Sequence, residues 1–228
     1  METQLLDGSL NPYNIVKVAK HNHDFYKSHP TYFRPEGLLI FCGEQGSGKT
    51  LSAVQYVKRL CEEYPKAILC TNVEIHGLNP DTVIVEYNGL DCLKDLENGY
   101  EGVIYLIDEI HLEFNSLESK NIDIEVMIEV SQQRKQRKHI VGTTQVYGRL
   151  AKPFREQIRN VILCSNFCRI LQVNKLIDGS KSVEKDGHLI TDTVKTFYWF
   201  HRPELYESYD TYAKMKRYKK EWQGRRLT

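Results

Sequence analysis

Residues 43–50 read GEQGSGKT, between the apolar run LLIF (38–41) and the segment LSAVQYVKRL (51–60). Gly43, Gly48, Lys49 and Thr50 fill the pattern GxxxxGK[ST]. The chemistry behind that spacing is phosphate binding. Glycines let a backbone wrap closely around a phosphate with its N–H groups turned inward. A helix that begins at the loop presents its positive end to the same group. On this reading Gly43, Glu44, Gln45, Gly46, Ser47, Gly48 and Leu51 bound an ATP site, and Lys49 reaches the β- and γ-phosphates. The Thr50 hydroxyl is then a ligand for Mg2+. The pattern requires a strand before it and a helix after it, and both are readable. GLLIFCG (37–43) is short, apolar and closed by glycine. From Lys49 to about Glu63, Val54, Val57 and Leu60 fall on one helical face and Ser52, Gln55 and Lys58 on the other.

A second signal lies downstream. VIYLIDE (103–109) is apolar up to Asp108 and Glu109, which sets two carboxylates at the C-terminal end of a buried strand. Ligands of open α/β sheets bind at that edge. Asp108 is the expected partner of Mg2+ and Glu109 the expected base for an attacking water. A further strand, HIVGTTQ (139–145), ends in polar residues, so Thr144 or Gln145 is expected at the γ-phosphate edge as a sensor.

The remaining chain reads as alternating elements. A short helix is expected near 12–27, strands at 67–72 and 82–87, a helix over 90–99 closed by Gly99, and a helix over 121–138. A short helix is expected at 155–160, two strands within 161–176, a hairpin tip over 178–189 and a strand over 193–201. Buried strands alternating with helices predict an α/β fold: a mostly parallel sheet with helices on both faces and an antiparallel β extension at one edge. The expected division is a lead-in over 1–35, the core over 36–202, and a basic helical tail over 203–228.

Composition is compatible with this and narrows little else. The 228 residues carry a net charge of +1 and are 41% hydrophobic, which suits an ordinary soluble α/β domain. Charge is nevertheless uneven: 131–139 and 214–226 are basic and 81–129 is mostly acidic, which permits a local polyanion-binding face. Cys42, Cys61, Cys70, Cys92, Cys164 and Cys168 contain no CxxC pair, and Cys42, Cys70 and Cys164 lie in apolar runs. Reduced thiols in a cytoplasmic protein follow. The N-terminus lacks the build of a signal peptide, and no apolar run approaches the ~20 residues that span a bilayer.

GEQGSGKT, VIYLIDEIHLEFNS (103–116), SQQRKQRKHIVGTTQ (131–145) and YESYDTYAK (206–214) together resemble the Zot-type ATPases of phages. These belong to the wider HerA–FtsK group of P-loop NTPases, alongside viral genome-packaging ATPases. The resemblance covers about 38–212, and its more specific parts are the Gln/Arg/Lys-rich helix leading into TTQ and the YDTY ending. It implies a RecA-like core that assembles as a ring, often a hexamer, and ATP-driven movement or export of DNA during virion assembly. It carries nucleotide and Mg2+ roles onto Lys49 and Thr50, Mg2+ and base roles onto Asp108 and Glu109, and the sensor role onto Gln145. It also implies an arginine supplied by a neighbouring subunit, for which Arg134, Arg137, Arg155 and Arg159 are the candidates. Arg155 and Arg159 are expected to line one helical face. Filamentous-phage members carry a membrane-spanning segment after the ATPase domain, and this sequence has none before Thr228. The chain is therefore expected to be a soluble relative closer to the packaging ATPases, or a truncated one, acting in the host cytoplasm if viral.

DNA contact is expected at the basic helix 131–138 and at the basic tail, where Tyr212, Tyr218 and Trp222 interleave with Lys and Arg. Loops facing DNA in a ring pore are expected from 112–121 or 178–188. Phage capsid or assembly proteins are further expected partners. Two other functions use the same loop. A nucleotide-dependent switch acting through protein partners binds nucleotide with negligible turnover. A P-loop kinase needs an arginine-bearing lid, which no segment supplies, and Glu109 favours a water nucleophile.

Overall fold

The computed structural model describes residues 11–117, 124–179, 183–185, 188–190 and 192–210. The chain divides between Tyr32 and Phe33 into two compact units. In the first, helix α1 (Pro12–Ser28) starts with proline at its first position and is capped by Asn11, whose side chain accepts the Tyr13 N–H at 3.0 Å. That start is favourable because proline supplies a helical φ where no donor is needed.

The second unit is built on one sheet. Its strands are β1 (Gly37–Cys42), β2 (Ile68–Thr71), β4 (Ile84–Glu86), β5 (Val103–Ile107), β6 (Lys138–Thr144), β7 (Ile158–Phe167), β8 (Leu171–Asp178) and β11 (Thr193–Phe200). Among the described residues these eight lie in the order β11-β8-β7-β1-β6-β5-β2-β4. From β7 to β4 every pairing is parallel, whereas β8 and β11 pair antiparallel. The small strands are β3 (Glu74–Ile75), which pairs with β12 (Tyr209–Asp210), and β9 (Val183–Lys185), which pairs with β10 (His188–Ile190).

Alternation along the parallel strands sends side chains to two cores. Leu39, Phe41, Leu69, Ile104, Leu106 and Val141 meet helix α2 (Lys49–Glu63) through Leu51, Val54, Val57 and Leu60. Leu38, Ile40, Tyr105, Ile107 and Ile140 face α3 (Cys92–Asp95), α4 (Ile124–Gln132) and α5 (Lys152–Arg155) through Leu93, Val126, Val130 and Phe154. The sheet is thus covered on both faces, with the antiparallel extension beyond β7.

Three expectations need correction. The helix over 90–99 is one turn, Cys92–Asp95. The helix over 121–138 ends at Gln132, and Arg137 takes a left-handed φ of 55° immediately before β6. That backbone is usual for Gly or Asn at a helix end, so Arg137 gave no stop signal. The segment 155–160 is not a helix, because Ile158 already opens β7. Leu38 pairs with Ile158 but Leu39 with Asn160, a bulge at Arg159. An extra residue lets Ile158 and Val161, three apart, both enter the core facing α5, and that spacing imitates a helix.

Among the described residues one turn of helix, α6 (Pro203–Tyr206), follows β11, and β12 comes next. Leu205 packs into the α2 core. The tail from 211 onwards, with Tyr212, Tyr218 and Trp222, lies outside the described residues.

Candidate active site

The loop 43–50 joins β1 to α2 at the C-terminal edge of the parallel strands. Gly48 has φ 84°, and a Cβ there would stand 2.2 Å from Gln172 Oε1. A Cβ on Gly43 would stand 2.6 Å from the Cys164 carbonyl oxygen. The glycines of the motif are therefore required both by the left-handed turn and by the approach of β7 and β8. Gly48 makes no side-chain cap to α2, which leaves the helix start to a ligand's acceptor atoms. The Lys49 Nζ donates to the Glu44 carbonyl at 2.9 Å and is 7% exposed as a residue, so its ammonium is held over the loop.

The start of α2, the end of β5 and β6 deliver oxygens to one point. The Thr50 hydroxyl donates to Asp108 Oδ1 at 2.8 Å, and the Thr143 hydroxyl donates to the same oxygen at 2.7 Å. Asn72, just after β2, accepts the Asp108 N–H at 2.8 Å and donates its Nδ2 to the Asp108 carbonyl at 3.1 Å. A side-chain amide thereby finishes the ladder where β5 runs out, and fixes the Asp108 backbone. Hydroxyl and carboxylate oxygens are the donors a hard cation prefers, so Thr50 and Asp108 fit Mg2+.

Glu109 has φ 54° and ψ 47°, a left-handed backbone uncommon outside glycine. The Thr143 hydroxyl accepts its N–H at 2.9 Å. The turn lifts the carboxylate off the strand line. Oε1 accepts Gln145 Nε2 at 3.2 Å, and His111 Nδ1 lies 3.2 Å from Oε2. Of the two sensor candidates, Gln145 is exposed at this edge, whereas Thr144 is fully buried and donates to the Val146 carbonyl at 3.1 Å.

β12 pairs with β3, which begins two residues beyond Asn72. Burial first, and then the Asp108 charge, raise the pKa of the Tyr209 phenol.

The expected arginines lie elsewhere. Arg134 and Arg137 precede β6 and Arg159 is the second residue of β7, at the sheet edge opposite the phosphate loop. Arg134 pairs with Glu36 at 2.8 Å, and the Arg137 guanidinium sits 4.6 Å from the Tyr100 ring centre. Arg155 closes α5 beside the Tyr147 ring while Arg159 is in β7, so they share no helical face. Lys138 is buried and bonded to Glu129 and the Leu93 carbonyl. Lys138 is thereby taken up by the fold, whereas the Arg134 side chain stays 76% exposed beside Glu36. At the phosphate-loop edge stand Arg149, in a cleft of about 560 Å³ with His111 and Asn115, and Arg169, in the turn from β7 to β8.

Sequence reasoning missed Asn72, Thr143 and His111, and also the outer supports of the loop. Asn166 Nδ2 donates to the Gly46 carbonyl, and Gln172 Nε2 donates to the Ser47 carbonyl at 3.0 Å. A polar residue ending an apolar run, as in AILCTN (67–72), was the available signal for Asn72.

The fold is that of the RecA-like P-loop NTPases. The N-terminal domain of zonular occludens toxin from Neisseria meningitidis superposes with a TM-score of 0.52 at 16% identity, over 78% of this chain and 100% of that one. The genome packaging NTPase B204 from Sulfolobus turreted icosahedral virus 2, in complex with ATP-gammaS, gives 0.49 at 11% identity over 75% and 98%. The flagellar accessory protein FlaH from Methanocaldococcus jannaschii gives 0.44 at 13% identity over 73% and 89%. No family model and no curated protein matches the sequence. Among the described residues no helix is long and apolar enough to cross a membrane.

Proposed function

We propose that this chain is a Mg2+-dependent ATPase that acts as a ring-forming motor on DNA in viral packaging or phage morphogenesis. One observation carries the enzymatic part: the hydroxyl that ends the phosphate loop, Thr50, is bonded to Asp108 directly beside the Glu109–Gln145 pair. The fold shared with the zonular occludens toxin domain and the four-motif sequence resemblance support the morphogenetic part.

The geometry supports the following roles. Loop N–H groups and the α2 start bind phosphate, and Lys49 neutralises its charge. Thr50 and Asp108 would hold Mg2+, which supplies charge neutralisation on the phosphates when bound. Glu109 accepts the proton of the attacking water at an oxygen oriented by Gln145. Gln145 and His111 keep that carboxylate at the edge where a γ-phosphate ends. A neighbouring subunit in a ring would complete the site with an arginine; Arg149 and Arg169, at the phosphate-loop edge, join Arg134, Arg137, Arg155 and Arg159 as candidates for that role.

Steady-state ATP hydrolysis with and without single- and double-stranded DNA, on the wild type and Glu109→Gln, tests the proposal. Turnover that rises with DNA and collapses in the variant is expected. Nucleotide binding with no turnover under any condition overturns the motor in favour of a nucleotide-dependent switch.

A further inference from the structure

Gln172 on β8 is fully buried, and its whole amide is committed. Nε2 donates to the Ser47 carbonyl at 3.0 Å and to Asn174 Oδ1 at 2.9 Å. Asn174 is fixed in turn by its Nδ2 bond to the Ser52 hydroxyl on α2, at 3.1 Å. Gln172 Oε1 lies 3.0 Å from His201 Nε2. Both amide hydrogens are spent, so Oε1 can only accept. His201 must therefore carry a proton on Nε2. On its other side His201 Nδ1 meets the Tyr206 hydroxyl on α6. A continuous polar chain thus runs from the phosphate loop through β8 to the segment after β11.

The consequence lies in the peptide that Gln172 grips. The Ser47 carbonyl and the Gly48 N–H belong to one planar trans peptide and point in opposite directions. Holding the carbonyl towards β8 aims the Gly48 N–H away from β8, into the loop. Asn166 holds the preceding peptide through the Gly46 carbonyl, while that peptide's Ser47 N–H donates to the Glu44 carbonyl at 3.1 Å. The Gly48 donor is therefore set from outside the loop, by the Gln172 side chain on the antiparallel extension.

We propose that Gln172 is a positioning residue for the β-phosphate of a bound nucleoside di- or triphosphate, and that His201 holds Gln172 in orientation. This rests on the nucleotide-binding reading of the loop. Donors to the β-phosphate act on substrate and transition state alike, and uniform binding appears in KM with kcat little changed. A purely structural role lowers stability without that split.

The test compares ADP affinity by calorimetry, KM and kcat for ATP, and melting temperature across full-length variants. Gln172→Met keeps the volume and removes the donor; it is expected to weaken ADP binding about tenfold, with KM following and kcat within about threefold. His201→Phe removes the donor to Oε1 and is expected to cost about fivefold, while His201→Gln keeps an N–H donor and stays within about twofold of wild type. His201 is only half-buried, so this pair decides the matter should Gln172→Met not fold. Wild-type ADP affinity in Gln172→Met, or equal losses in both His201 variants, overturns the proposal. A wild type that binds ADP but never hydrolyses ATP sinks the ATPase reading alone, since the affinity comparison still stands. A wild type that does not bind ADP overturns both.

Discussion

Thr50 and Asp108, 58 residues apart in sequence, share a hydrogen bond of 2.8 Å. The bond joins the start of α2 to the end of β5 although β6 lies between β1 and β5 in the sheet. β6 bridges the gap with Thr143, which donates to the same Asp108 oxygen. The carboxylate is therefore positioned before any ligand arrives, and pre-placed charge loses little in reorganisation when it is used.

Asp108→Asn keeps the shape and removes the charge. Wild-type protein should bind ADP more tightly with Mg2+ than without it, and the variant should lose most of that difference. Hydrolysis should fall by about 100-fold or more, since the metal's neutralising charge is then poorly held. Calorimetry with and without Mg2+ checks the first effect and a phosphate-release assay the second. An unchanged Mg2+ dependence would remove Asp108 from the metal site.

Glu109 and Gln145 should separate binding from chemistry. Removing a general base costs about 10²- to 10⁴-fold in rate, so Glu109→Gln should bind ATP normally and turn it over at least about 100-fold more slowly. Gln145→Ala removes one positioned donor to Glu109 Oε1 and should cost less, about tenfold in kcat with KM nearly unchanged. Single-turnover kinetics distinguishes these from a slow product release. A Gln145 variant that affects KM alone would assign that residue to binding.

The parts of this arrangement that the sequence displayed are those whose chemistry is local. A glycine loop between an apolar strand and an amphipathic helix needs no partner to be recognised, and VIYLIDE announces its own buried strand and its carboxylates. Asn72, Thr143 and Gln172 are ordinary polar residues in strands or at their ends. They acquire roles only because strand order brings β2 and β6 beside β5, and β8 near the loop. No spacing along the chain encodes that adjacency. The bulge at Arg159 and the left-handed Arg137 misled the helix assignments for a related reason. Each is a backbone irregularity stabilised by tertiary contacts, not by a residue type that advertises it.

Stability should depend on pH through His139. Its Nδ1 faces the Gly37 carbonyl at 3.0 Å and its Nε2 the Tyr56 hydroxyl at 3.0 Å. A carbonyl can only accept, so Nδ1 carries the proton and Nε2 accepts from Tyr56. Burial lowers the pKa of this histidine to about 4, below the ~6.5 of an exposed one. Between those values the unfolded chain binds a proton that the native state refuses, so stability falls as pH falls from about 6.5 to about 4. The loss from pH 7 to pH 5 is about 2 kcal/mol for this group. Urea unfolding at the two pH values should show a steeper loss for wild type than for His139→Asn, which keeps a donor but does not titrate. Parallel losses would mean that other groups govern the acid limb.

The two ends of the Lys138–Glu129 pair should respond unequally to removal. Lys138 is 1% exposed. Its Nζ donates to Glu129 Oε2 at 3.1 Å and to the Leu93 carbonyl at 2.7 Å. The Glu129 side chain is 23% exposed, so water reaches it. Truncating the carboxylate strands an ammonium in the core, and breaking a buried pair in this way costs about 3–5 kcal/mol. Access of water beside the pair reduces that, so Glu129→Ala should destabilise by about 2–3 kcal/mol. Replacing the cation with an apolar chain of similar length leaves a carboxylate that can hydrate and one carbonyl to satisfy, so Lys138→Met should cost about 1 kcal/mol. The double variant should be no worse than Glu129→Ala alone, because the stranded charge is gone. Urea midpoints of the three proteins at pH 7 measure the order directly. A larger loss for Lys138→Met than for Glu129→Ala would mean that the Leu93 carbonyl, and not the carboxylate, is the partner on which the buried ammonium depends.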